Sequence, residues 1–131
     1  MKYLTYAFVF FFFGCGKDDE TLPAVDTKLH GKWQLEATKI SPGGIVEDWT
    51  LVSNGTIIEF RSNGSYSDTA KACGGIVNGI YSTNEGILSL RYVCNGNSME
   101  AKFRLNFSDD RLILANVGCI EECSYRYRKL E

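Results

Sequence analysis

Residues 99–107, "MEAKFRLNF", alternate without a break: Met99, Ala101, Phe103, Leu105 and Phe107 fall on one side, and Glu100, Lys102, Arg104 and Asn106 on the other. A period of two is the geometry of a strand with one face in a core and the other in water. A helix would scatter the same apolar residues around its circumference. The pattern recurs in "KWQLEA", which turns Trp33, Leu35 and Ala37 inward, in "TIIEF" with Ile58 and Phe60, and in "LSLRY" with Leu88, Leu90 and Tyr92. "RLILANV" and "SYRYRKL" supply the last two runs.

Turn residues separate these runs at roughly ten-residue spacing: Asn54-Gly55, Asn63-Gly64, Gly74-Gly75, Asn84-Glu85-Gly86, Asn95-Gly96-Asn97 and Asp109-Asp110, with a C-x3-C loop after Gly118. Asn-Gly pairs tolerate the positive φ of tight hairpins. The chain is therefore expected to be all-β, an antiparallel up-and-down meander of about eight or nine strands closing into a small barrel. If every turn reverses the chain, those at 54–55, 74–75, 95–97 and 118–122 share one end with the start of the first strand and Trp33. The loops near 40–44, 62–63, 84–86 and 108–110 then share the other.

Upstream of this domain, Lys2 precedes an apolar run from Tyr3 to Phe13. That run is too short to span a bilayer, which needs about twenty residues, and has the length of a signal-peptide hydrophobic region. Gly14-Cys15 after it resembles the lipobox of bacterial lipoproteins, in which the cysteine sulfur is acylated and becomes the first residue. Phe12 and Phe13 depart from the usual leucine and small residue of that motif. The following "KDDE" looks like the acidic export signal of Bacteroidetes-type lipoproteins, and reads equally as a solvated tether. The resemblance implies a signal peptide over 1–14, a lipidated N-terminus and flexible tether over 15–28, a folded domain over 29–131, and a protein anchored through Cys15 to the outer membrane, on its surface if the export signal is read. Two or three acyl chains anchor stably where one does not.

A chain exported in this way meets an oxidising compartment, where the even set Cys73, Cys94, Cys119 and Cys123 is expected to form disulfides. Three connectivities are possible. The meander favours Cys119 with Cys123 across a short loop and Cys73 with Cys94 one strand apart, although all four lie close enough to leave other pairings open. A zinc site is not supported, because the cysteines lack ligand spacing and the single histidine, His30, has no partner nearby. No cofactor motif is present. With 14 basic and 16 acidic residues and no basic stripe, nucleic-acid binding has no footprint either.

Gly31-x-Trp33 on the first strand, in "LHGKWQLE", resembles the Gly-x-Trp signature of lipocalins and the wider calycin group. Together with the meander, "FRSNGSY" and the terminal "CSYRYRKLE", the pattern over residues 29–131 resembles the lipocalin-like domain of Bacteroidetes-type outer-membrane lipoproteins. The resemblance implies a last-strand arginine against Trp33, with Arg126 as the candidate because it lies nearer the cysteine-rich end than Arg128. It also implies a barrel holding a small apolar ligand at its open end. Phe60, Tyr66, Leu88, Leu90, Phe103 and Leu105 would line that site under a lid carrying Trp49, and the same inward positions serve equally as plain core.

Neither a nucleophile with a base nor a pair of carboxylates in a cleft can be assembled, so an enzyme is not expected. His30 precedes the first strand, and Asp109-Asp110 and Glu121-Glu122 fall in turns, where acidic residues are common. Two non-enzymatic functions follow. One is a lipid-anchored module binding a small hydrophobic molecule; the other is a surface or structural lipoprotein with a solid barrel that contacts an unknown protein partner.

Overall fold

The computed structural model describes residues 24–45 and 48–131, so Cys15 and the segment around it lie outside the described residues. The strands are β1 (Gly31–Ile40), β2 (Thr50–Leu51), β3 (Ile57–Phe60), β4 (Ser65–Asp68), β5 (Val77–Asn84), β6 (Ile87–Cys94), β7 (Asn97–Ser108), β8 (Arg111–Asn116) and β9 (Cys123–Leu130). Each pairs antiparallel with its neighbour from β3 onward, and β9 returns to β1 to close a barrel. The expected all-β meander is the architecture observed.

Alternation sets the faces and pairing sets the register. Leu88 sits opposite Phe103, Leu105 opposite Leu114, and Leu112 opposite Tyr127, so apolar residues meet on the inner surface. Trp33, Ile58, Phe60, Tyr66, Tyr81, Leu88, Leu112 and Leu114 form the buried centre. Phe60 packs edge-on against Tyr81 at 4.9 Å between ring centroids, a favoured aromatic geometry. The hairpins at Glu85-Gly86, Asn95-Gly96 and Asp109-Asp110 all carry positive φ at both residues, as two-residue turns of a twisted ribbon require.

Asn54-Gly55 behaves differently. β2 and β3 both run antiparallel to β1 along the same edge, Leu51 opposite Ala37 and Ile57 opposite Gln34, so they are two pieces of one broken strand. Backbone bonds from Val52 N–H to Glu36 O and from Leu35 N–H to Thr56 O stitch both pieces to β1 on either side of the break. The Asn-Gly pair makes a kink, not a reversal. A side chain at Gly55 would overlap the Leu35 carbonyl, so glycine is demanded by close approach to β1.

Removing one reversal changes which loops share an end. The start of β1 with Trp33 lies at the end of the 61–64, 85–86 and 109–110 turns, and the cysteine loops lie at the opposite end. This corrects the expectation that cysteines and Trp33 cluster together. The segment after β1 joins the cysteine end: Ser41 N–H donates to Glu122 O at 2.9 Å, and Gly44 N–H reaches the Glu121 carboxylate.

The fold also begins upstream of Leu29. Thr83 N–H donates to Ala24 O at 2.9 Å, Asp26 N–H donates to Thr83 Oγ1 at 3.0 Å, and Val25 packs against the core. Asp26 caps a 3₁₀ turn, Thr27–Leu29, by accepting from Lys28 N–H, and the turn drives Leu29 fully into the barrel end. Residues 24–28, read from sequence as tether, are thus part of the packed structure.

Candidate functional site

Trp33 anchors one end of the barrel. Its indole Nε1–H donates to Leu29 O at 2.7 Å, satisfying a buried donor, and its ring lies 6.1 Å from that of Phe107. Lys129 is directly opposite Trp33 in the β1–β9 pairing, so both project to the same face, and its Nζ stands 5.3 Å from the indole centroid. Gly31 adopts a φ of +117°, and a Cβ there would come within 3.3 Å of the Lys129 stem. The Gly-x-Trp spacing thus leaves room for the cation that covers the tryptophan. A cavity of about 810 Å³ opens beside them, walled by Trp33, Phe107 and Leu130 and bounded also by Lys28, Lys129 and the 108–110 turn.

The opposite end is built with different chemistry. Disulfides join Cys73 to Cys94 and Cys119 to Cys123, the pairing favoured from the sequence. Tyr66 and Asp68 share the inner face of β4, and Tyr125 and Tyr127 that of β9. Burial, then the neighbouring Tyr92 and Asp68, pushes the Tyr66 hydroxyl well above the usual tyrosine range. Burial, then Asp68 and Tyr125, does the same to Tyr127. Desolvation also raises the Asp68 carboxyl above the ordinary aspartate value, opposed by a hydrogen bond accepted from Ala70 N–H at 2.7 Å.

Two solved structures share this fold. A lipocalin-like protein from Bacteroides uniformis superposes with a TM-score of 0.53 at 21% identity, covering 79% of this chain and 99% of that one. An uncharacterized protein from Bacteroides eggerthii superposes with a TM-score of 0.52 at 17% identity, covering 78% of this chain and 99% of that one. The fold is lipocalin-like. No family model and no curated protein matches the chain.

Within this lipocalin-like barrel, the residues nominated from sequence as ligand lining separate into groups. Phe60, Tyr66, Leu88 and Leu90 are buried core, and Phe103 and Leu105 are half-buried residues packed against it. None of the six borders the cavity beside Trp33. Trp49 is no lid over the barrel; it lies on the outer wall, over Arg126 at 4.8 Å. Arg126 is likewise not the cation against Trp33. β9 alternates, Tyr127 points inward, and Arg126 therefore projects outside, where it meets Glu36. Gly31 and Trp33 do sit together at the barrel end, with Lys129 in the place proposed for arginine.

Lys28, Phe107, Lys129 and Leu130 also border the cavity, and no motif in the sequence marks them as site residues. Phe107 was legible as inward from its alternation. The role of Lys129 depended on the register between the first and last strands, which no local pattern encodes. Among the described residues, no group of three or more His, Cys, Asp or Glu is placed to hold a metal ion. His30 Nε2 is enclosed without a hydrogen-bond partner there.

Proposed function

We propose that this chain is a non-enzymatic lipoprotein, anchored through Cys15 to the outer membrane, whose lipocalin-like barrel binds one small hydrophobic molecule at its Trp33 end. The cavity of about 810 Å³ walled by Trp33, Phe107 and Leu130 carries this reading. Its size falls in the range of about 300–1,000 Å³ typical of small-molecule sites, and Trp33, Phe107 and Leu130 give it an apolar wall within a rim of Lys28, Asp109, Asp110, Lys129 and Glu131. Support for the anchor comes from the lipobox-like Gly14-Cys15 and from the bacterial source of the two similar structures. Since Ala24 is hydrogen-bonded to Thr83 at this same end, an anchor at Cys15 would hold the cavity toward the lipid surface. A ligand drawn from the membrane would have a short path to it.

A second reading, a surface interaction protein, draws on exposed Ile80, Val93 and Met99, which border a separate cavity of about 580 Å³ on β5–β7. Native followed by denaturing mass spectrometry on the exported protein separates the two. An apolar adduct lost on denaturation and absent from Phe107→Asp supports the ligand reading. An adduct-free protein that also fails to take up added fatty acid removes it. Labelled palmitate incorporated into the chain but not into Cys15→Ser tests the anchor.

A further inference from the structure

The outer wall carries a second cluster, created by a bulge. Register along β1 and β9 shifts between Leu35, opposite Tyr127, and Ala37, opposite Arg126, so Glu36 is the extra residue and turns outward. Its Oε1 accepts from Arg111 Nε and from Arg126 Nε, both at 2.8 Å. Trp49 covers the Arg126 guanidinium, and these four side chains, with Ile113 and Asp109, wall a cavity of about 430 Å³.

The way the charges are used points to a ligand. One carboxylate oxygen serves two guanidiniums, and only through Nε, so among the described residues the Nη groups of Arg111 and Arg126 donate to no protein acceptor. Guanidinium forks are matched to carboxylates, which they bind through paired N–H groups. Arg111 and Arg126 keep 40% and 27% of their side chains accessible, enough for a ligand to reach them without rearrangement. Glu36 and Asp109 balance the two cations, a composition that disfavours a polyanion and suits one carboxylate held by directional hydrogen bonds. Trp49 and Ile113 add an apolar wall beside those donors.

We propose that this pocket binds a ring-bearing carboxylate, its acid group on the Nη atoms of Arg111 and Arg126 and its ring against Trp49. The site is on the outer surface and adjoins the Trp33 cavity only at the 108–110 turn, where Ser108 and Asp109 border both; Arg111, Arg126 and Trp49 belong to the outer pocket alone.

The test is calorimetric titration of the full chain in detergent micelles with glucuronate, benzoate and, as a neutral ring, glucose. Saturable heat is expected from a carboxylate and none from glucose. Response to glucuronate alone identifies an acidic sugar as the ligand class, and response to benzoate alone an aromatic acid. Arg111→Gln is expected to weaken binding at least about tenfold, the loss of a charge-assisted hydrogen bond, and added salt to weaken it further. Trp49→Ala, outside every strand, is expected to preserve the melting temperature while weakening binding. No saturable heat from either carboxylate would overturn the proposal, as would heat unchanged by Arg111→Gln or by Trp49→Ala.

Discussion

The two ends of this barrel are closed by opposite strategies. At the Trp33 end the chain caps itself: the 3₁₀ turn pushes Leu29 inside, Trp33 donates to its carbonyl, and Tyr81 Oη donates to Arg61 O at 2.7 Å. At the cysteine end the loops bury little, Ile76 and Ile120 lie largely exposed, and two covalent bonds do the holding. Packing and cross-linking therefore stabilise different ends of one core. The consequence is that the ends respond to different perturbations, one to side-chain truncation and the other to reduction.

The largest effect is expected at the packed end. Trp33→Ala removes a buried indole and its hydrogen bond, and urea denaturation should register a loss of about 3–5 kcal/mol. At the other end, replacing Cys73 and Cys94 by serine releases a cross-link spanning 21 residues, expected to cost about 3 kcal/mol on the chain-entropy account. Serines at Cys119 and Cys123, spanning only 4, should cost about 2 kcal/mol by the same measurement. Equal losses from the two pairs would mean that loop length does not govern their contribution. Tyr81→Phe, which removes one of the two hydrogen bonds that the Arg61 carbonyl accepts and leaves the one from Gly64 N–H while retaining the ring, should cost about 1 kcal/mol.

Smaller still are the effects of pH, and they belong to the cysteine end. Asp68 has a raised carboxyl pKa in the folded protein, so its contribution is most favourable below the unfolded value and is lost as pH rises through the folded one. Asp68→Asn should therefore melt higher than the parent at pH 7, with the difference vanishing at acid pH. The same sign applies to Tyr66 and Tyr127 at alkaline pH. Their unfolded forms ionise near pH 10 while the folded ones resist, so stability should fall as pH rises above about 10. Tyr66→Phe should blunt that fall in a pH-jump melt; an unchanged fall would place the sensitivity elsewhere.

Much of the barrel was legible because the signals that specify it are local. Leu88, Leu90, Phe103 and Leu105 were assigned inward by alternation, and they lie inward. The disulfide pairs were legible too, since each cysteine sits next to a loop whichever end that loop occupies. The candidate site was less legible. Within "CSYRYRKLE" the resemblance points to Arg126 over Arg128 as the cation against Trp33, and only the pairing of Trp33 with Lys129 across the closure of the barrel puts Lys129 there instead. Glu36 reads as an ordinary strand residue, because the bulge that turns it toward Arg111 and Arg126 arises from how β1 fits β9.

Alternation and turn chemistry by themselves determined the class of fold, the identity of most strands and the face each side chain takes, because a strand's period of two is set by its own backbone. Tertiary structure decided which end each loop occupies, which cation covers Trp33 and where the outer pocket forms. Asn54-Gly55 makes the physical reason concrete: the same dipeptide serves a reversal or a kink, and the outcome rests on whether the segments beside it bond to each other or to the same edge of β1.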